Sequence, residues 1–194
     1  MNVGVLASGE GTNLQALLDA PDIEVVAVAS DNPQARALER ARAAGVAAEA
    51  FTGYADREKR DRAIAAWLRE HSVELVVLAG YMQLLSDEFL RAFPERVINV
   101  HPALLPAFPG LEAVDQALAY GVKVFGVTVH FVDEGVDTGP VILQRAIELP
   151  TATSAQEVLE RLHPIEHELL PQAVRLIAQG SVKIDGRRVV VESR

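Results

Sequence analysis

The sequence predicts an α/β fold: an open, Rossmann-like, mostly parallel sheet with helices on both faces and antiparallel strands added in the C-terminal half. Three observations carry that prediction. Short, continuously apolar, β-rich runs alternate with helical patterns through the first half of the chain. A Gly-rich turn joins the first of these runs to the first helical segment. In the second half, two extended β-branched runs flank one loop. Runs that are apolar throughout suit strands buried on both faces, and strand–helix alternation is how parallel strands are connected.

Each element has its own signal. The strand runs are Val3–Ala7, Ile23–Ala29, Val73–Ala79 and Val97–Val100, the last stopped by Pro102. Helices are expected over Asn13–Ala20, over Ala35–Ala44 before Gly45, and over 56–71. In that third segment Ile64, Trp67, Leu68 and His71 form one stripe at helical spacing. Val122–Phe131 and Pro140–Glu148 read as the antiparallel pair. Residues 154–179 form a long amphipathic segment with Val158, Leu162, Ile165, Leu169 and Ile177 on related faces. Pro164 and Pro171 inside it are expected to bend or divide the helix. Asp185-Gly186 is a hairpin signal. No repeat, low-complexity tract or linker interrupts the pattern, so one domain over 1–194 is expected, with halves of about 1–100 and 101–194.

Composition narrows the function classes. The chain has 194 residues, 49% hydrophobic and 5% aromatic, so its core is built from Ala, Val, Leu and Ile. With no Cys, disulfides, thiolate metal sites and a Cys nucleophile are excluded. Twenty-seven acidic against 18 basic residues, a net charge of -9, argue against a broad nucleic-acid-binding surface. No apolar run approaches the ~20 residues of a membrane span. The N-terminus lacks the basic region of a signal peptide. The expectation is a cytoplasmic protein with neither membrane nor nucleic-acid partners.

Ser8-Gly-Glu-Gly-Thr-Asn13 ends the first strand and opens the first helix. Backbone amides at a helix N-terminus suit a phosphate, Gly9 and Gly11 allow close approach, and Thr12 and Asn13 add side-chain donors. The dinucleotide fingerprint would need Gly where Leu14 stands, although Asp31 occupies the place of a ribose-binding acid. A phosphate monoester is the favoured ligand; a dinucleotide and a bare capped turn are the alternatives.

Asn99 and His101 interrupt an apolar strand at i and i+2. They therefore share one face, ~7 Å apart along the strand, at the C-terminal end where ligands of parallel sheets bind. One reading is a buried hydrogen-bonded pair. The other is catalysis: an Asn amide stabilises a developing oxyanion, and an imidazole moves protons near neutral pH. The stiff loop Pro102–Gly110, with three prolines, resembles the wall of a small-molecule pocket.

Asp133 and Glu134 flank Gly135 as solvated turn acids. Asp137 either caps the turn before the next strand or pairs with His101. His130 reads as a packing residue. Asn99, His101 and Asp137 lack a nucleophile of their own, which suits transfer of an activated acyl group to a nucleophile of the substrate. His163-Pro-Ile-Glu166-His167 matches an inverted zinc-protease motif, but Pro164 lies inside it and few residues follow to supply a third ligand. No metal is expected; Glu166 holding a cationic substrate group is the other functional reading.

Together these segments resemble the folate-dependent phosphoribosylglycinamide formyltransferases over nearly the whole chain. The likeness runs through Ser8–Asn13, Gly80-Tyr-Met-Gln-Leu-Leu85, Ile98-Asn99-Val-His101-Pro-Ala-Leu-Leu-Pro106, Gly126–Asp137 with the following Thr-Gly-Pro, and Ile165-Glu166-His167. The resemblance implies transfer of the formyl group of 10-formyltetrahydrofolate to the amine of glycinamide ribonucleotide in purine synthesis. Asn99, His101 and Asp137 match the catalytic trio, and Gly11, Thr12 and Asn13 the substrate-phosphate site. Glu166 matches the acid that binds the glycinamide amine. Met82, Gln83, Leu84 and Leu85 match the folate-pocket wall, with Asp133, Glu134, Gly135 and Val136 in the loop closing over the pterin. Arg57 matches a basic residue on the folate side, although Arg57–Arg62 by itself reads as a solvated helix face. The resemblance gives the first half to phosphate binding and the second to folate and catalysis, in an assembly compatible with a homodimer. Gln83 stands where Arg is frequent in the family, Ala107 where Lys occurs, and His163 and Pro164 are atypical.

Overall fold

The computed structural model describes residues 1–192, in two compact units: Met1–Asn99, and Val100 onward.

The first unit alternates β1 (Asn2–Leu6), α1 (Thr12–Leu18), β2 (Glu24–Ser30), α2 (Arg36–Ala43), β3 (Ala47–Ala50), α3 (Arg57–Glu70), β4 (Leu75–Leu78), α4 (Asp87–Ala92) and β5 (Val97–His101), whose last two residues enter the second unit. The strands pair in parallel in the order β3-β2-β1-β4-β5. Val5, Leu6, Val28, Leu75, Val77 and Ile98 are fully buried, as apolar strands between two helical layers must be. The chain steps outward from β1 to β3 and returns to β4. Between β1 and β4 lies the switch of direction, where ligands of open α/β sheets bind. The connections leaving these two strands are the turn at 7–11 and the segment 79–86.

Local chemistry sets the helix boundaries. Asp56 caps α3 by accepting from Lys59 N (2.7 Å), and Ser86 caps α4 by accepting from Phe89 N (3.3 Å). The stripe on α3 turns Ile64 and Leu68 into the core and sets Trp67 edge-on to Phe51 with ring centroids 5.6 Å apart. Two elements of this unit have no sequence signal. Ala-Ala-Glu-Ala in β3 has little β propensity, and six residues of α4 are too few to display a period.

The second unit contains α5 (Ala113–Tyr120), the antiparallel pair β6 (Val124–Phe131) and β7 (Val141–Glu148), α6 (Ala155–Ala178) and the hairpin β8 (Val182–Asp185) and β9 (Arg188–Val191). Every β6 residue from Phe125 to Phe131 is buried, and α6 packs on β6 and α5. Buried Thr128 ties the proline-rich loop to β6: its Oγ donates to Ala103 O (2.7 Å) and accepts from Leu105 N (3.1 Å) and Gln144 Nε2 (2.9 Å). The expected division of the long helix does not occur; α6 is continuous through Pro164 and Pro171. Each proline removes one helical donor, and nine buried residues along α6 outweigh that loss. No helix among the described residues is long and apolar enough to cross a membrane.

Candidate active site

In the first unit the turn after β1 is held from three sides. Gly11 adopts φ 71°, and a β-carbon there would lie 2.8 Å from Ala37 Cα on α2, so only Gly fits. Ala37 N donates to Gly9 O (3.1 Å) and Arg40 Nε donates to Glu10 O (2.8 Å). A trans peptide sets its N–H opposite its carbonyl. With both carbonyls drawn onto α2, the amides of Glu10 and Gly11 face away from it. Thr12 and buried Asn13 open α1 beside them. Arg36 neutralises the Glu10 carboxylate at 2.9 Å. Asp31 is engaged in the turn itself: it accepts from Ser8 Oγ (2.6 Å), which in turn accepts from Met82 N (2.9 Å).

That last bond joins the turn to the segment after β4. Met82 and Leu84 are 55% and 58% exposed, Gln83 is exposed and Leu85 half-buried. Arg57, at the start of α3, is exposed as expected. Glu58, Lys59 and Arg62 are exposed as well, and within this run Arg60 and Asp61 depart from the expectation of a solvated face. Asp61 is fully buried and Arg60 nearly so, their guanidinium–carboxylate pair closing at 2.8 Å. The signal was available: Asp61 lies three residues before Ile64, on the buried stripe.

β5 alternates so that Asn99 and His101 share a face, Asn99 opposite Leu78 of β4 and His101 buried. Within the second unit His101 and Asp137 come together, Nδ1 to Oδ2 at 3.4 Å. His101 Nε2 lies 2.8 Å from Phe108 O. A carbonyl only accepts, so that nitrogen carries the proton. Asp137 also accepts from Gly110 N (2.7 Å). Sequence reasoning set His130 aside as packing. It is buried, and its Nε2 lies 3.5 Å from Asp137 Oδ1 while Nδ1 donates to Phe131 O (2.8 Å). A titratable ring on a strand whose neighbouring residues Val129 and Phe131 are buried and apolar is its signal. Burial raises the Asp137 pKa. The bonds from His130 and Gly110 and the charges of His101 and His130 more than offset this, holding the carboxyl below its usual range and ionised at neutral pH.

Asp137 sits at φ 53°, a strained conformation for a residue with a side chain. The loop around it fastens itself. Asp133 accepts from Gly135 N (3.1 Å) and Thr138 Oγ (2.6 Å), and Arg187 donates to Thr138 O (3.0 Å). Asp133 is thus a loop tie, whereas Glu134, Gly135 and Val136 are exposed.

Glu166 on α6 is 6% exposed. Its neighbours His163 and His167 stack with centroids 6.2 Å apart, and burial and the proximity of His163 lower the His167 pKa. Among the described residues no group of three or more His, Cys, Asp or Glu could hold a metal ion.

Within the second unit, His101 at the end of β5 and a buried His130 flank one ionised carboxylate, that of Asp137. The formyl transferase family matches residues 1–174. The phosphoribosylglycinamide formyltransferase of Bacillus subtilis (strain 168) is 43% identical over 178 residues, 88% of this chain and 91% of that protein. Its Mycobacterium tuberculosis (strain CDC 1551 / Oshkosh) counterpart is 44% identical over 195 residues, covering 94% and 87%. The crystal structure of glycinamide ribonucleotide transformylase 1 from Symbiobacterium toebii matches with a TM-score of 0.97 at 48% identity, covering 100% of this chain and 94% of that one. The chain belongs to the formyl transferase family, and its mostly parallel, Rossmann-like fold class is that of the Symbiobacterium structure.

Proposed function

We propose that this protein transfers the formyl group of 10-formyltetrahydrofolate to the primary amine of glycinamide ribonucleotide, a step of purine synthesis, in the cytoplasm. The observation that carries the reading is the ionised Asp137 3.4 Å from His101, two residues along β5 from Asn99. The names of the relatives support the choice of substrates.

In this reading the neutral substrate amine attacks the formyl carbon and a tetrahedral intermediate forms. Asn99 donates to its oxyanion. His101 Nε2, already protonated, exchanges Phe108 O for the oxyanion as acceptor. Asp137 orients His101 and takes, through water, the proton that the amine sheds. The C–N bond to the folate then breaks, and the departing nitrogen receives a proton. The Glu10 and Gly11 amides, with Gly11, Thr12 and Asn13 at the helix start, receive the substrate phosphate. Glu166 binds the amine end of glycinamide ribonucleotide. The resemblance assigns Arg57, Met82, Gln83, Leu84 and Leu85 of the first unit, and Asp133, Glu134, Gly135 and Val136 of the second, to the folate; Met82, Leu84 and Val136 each expose apolar surface. No metal takes part.

The direct test follows formyl transfer by absorbance, with a control lacking the amine substrate. Turnover that needs the amine supports the reading; deformylation independent of the amine overturns it in favour of a hydrolase.

Two variants probe individual assignments. Asp137→Asn is expected to lower kcat by about 10²-fold and to move the acid limb of the pH–rate profile. The sign follows from the depressed pKa: the wild-type carboxylate stays ionised below the usual carboxyl range and is lost only as pH falls through that lowered value. A normal rate with an unmoved profile makes Asp137 structural. Glu166→Ala is expected to raise KM for glycinamide ribonucleotide by about tenfold or more, the scale of one lost charged hydrogen bond. A change confined to the folate KM removes that assignment.

A further inference from the structure

The segment after β4 presents exposed apolar side chains on an irregular backbone. Such a segment needs a reason to hold its shape, because neither a helix nor a strand ladder fixes its peptide groups. The reason lies underneath it, on α3. Arg60 Nε and Nη2 both donate to Asp61 Oδ1, at 2.9 and 2.8 Å. The same guanidinium donates outward, Nη1 to Gln83 Oε1 (3.1 Å) and Nη2 to Leu84 O (3.0 Å). The second Asp61 oxygen accepts from Ser86 N at 2.6 Å. The Arg60 guanidinium also lies 5.9 Å from the centre of the Tyr81 ring. One ion pair therefore grips 81, 83, 84 and 86.

The energetics argue that this pair positions something. Asp61 is fully buried and the Arg60 side chain 12% exposed. Burying two charges costs several kcal/mol, and apolar residues of similar size serve stability as well or better. What an apolar pair cannot do is donate to Leu84 O and accept from Ser86 N. A planar guanidinium supplies several donors in fixed directions, which a flexible ammonium does not. Arg60 faces Gln83, at the position where the resembled family frequently carries Arg, so the cation here approaches the wall from α3.

We propose that the Arg60–Asp61 pair is a positioning element for the folate-side wall, setting the backbone of 83–86 and with it the affinity for the folate co-substrate. Arg60 and Asp61 act through that segment and leave the transfer chemistry to Asn99, His101 and Asp137. The proposal rests on the function proposed above.

The test compares wild type with Arg60→Lys and with the double variant Arg60→Met/Asp61→Leu, which leaves no buried charge unpaired. KM for 10-formyltetrahydrofolate, KM for glycinamide ribonucleotide and kcat are measured, together with amide hydrogen exchange across 82–86. The double variant is expected to raise the folate KM by about tenfold, with kcat and the other KM within about twofold, and to speed exchange at 83–86 alone. Arg60→Lys, keeping the charge but not the fork, is expected to fall between. Unchanged folate KM and unchanged exchange in the double variant overturn the proposal, as does faster exchange spread over the whole chain. Wild type that shows no folate-dependent turnover defeats the functional reading instead. Exchange at 83–86 then still decides whether the pair holds the segment.

Discussion

Asn99→Ala and His101→Ala are each expected to lower kcat by about 10²-fold or more, the measured scale for removing one oxyanion donor. KM for both substrates is expected to change little, since the interaction strengthens only as the formyl oxygen gains charge. Each side chain stands at the end of β5, on a strand whose other residues are buried and apolar. His101 Nε2 carries a proton directed at Phe108 O, and its Nδ1 lies beside an ionised carboxylate. Steady-state kinetics on both variants check the prediction. Turnover unchanged in both would falsify the mechanism. In the proposed mechanism Asn99 and His101 serve one oxyanion, so the double variant is expected to lose less than the product of the single losses.

Gly139→Ala is the second large effect expected, and it acts through backbone. A β-carbon on Gly139 would overlap Phe131 O and stand 2.7 Å from Phe131 C. No side-chain rotation relieves a clash with backbone, so the strand end or the loop must move. The loop carries Asp137, whose φ of 53° is sustained by the ties between Asp133, Gly135 and Thr138. The expected cost is about 1–3 kcal/mol of stability, the scale of overpacking. A kcat loss approaching that of Asp137→Asn should accompany it. Denaturant unfolding and kinetics on the folded variant test the two parts separately. A stable variant with normal kcat would show that the approach of Gly139 to Phe131 has no bearing on where Asp137 stands.

How much of this was legible in the sequence depends on the range of the interactions concerned. The apolar runs of β1, β2, β4 and β5, the helical stripe of α3 and the Asp-Gly hairpin are local patterns, and they appear where periodicity and turn chemistry put them. β3, α4 and α5 are short or Ala-rich and hold their shape through neighbours, which a local pattern cannot express. Pro164 and Pro171 do not divide α6, because buried contacts along it outweigh two missing amide bonds.

The site divides in the same way. The placement of Asn99 and His101 on one face of a strand end follows from a period of two, and the Gly-rich turn follows from its residue types. The sequence by itself therefore determined the fold class and the family. Tertiary structure alone decided that Asp137 pairs with His101 while also tying to Gly110, that His130 braces the same carboxylate, and that Arg60 and Asp61 are buried under the 83–86 segment. Each of these joins residues from different elements. Desolvation and electrostatic partnership depend on distance in space, and spacing along the chain does not encode it.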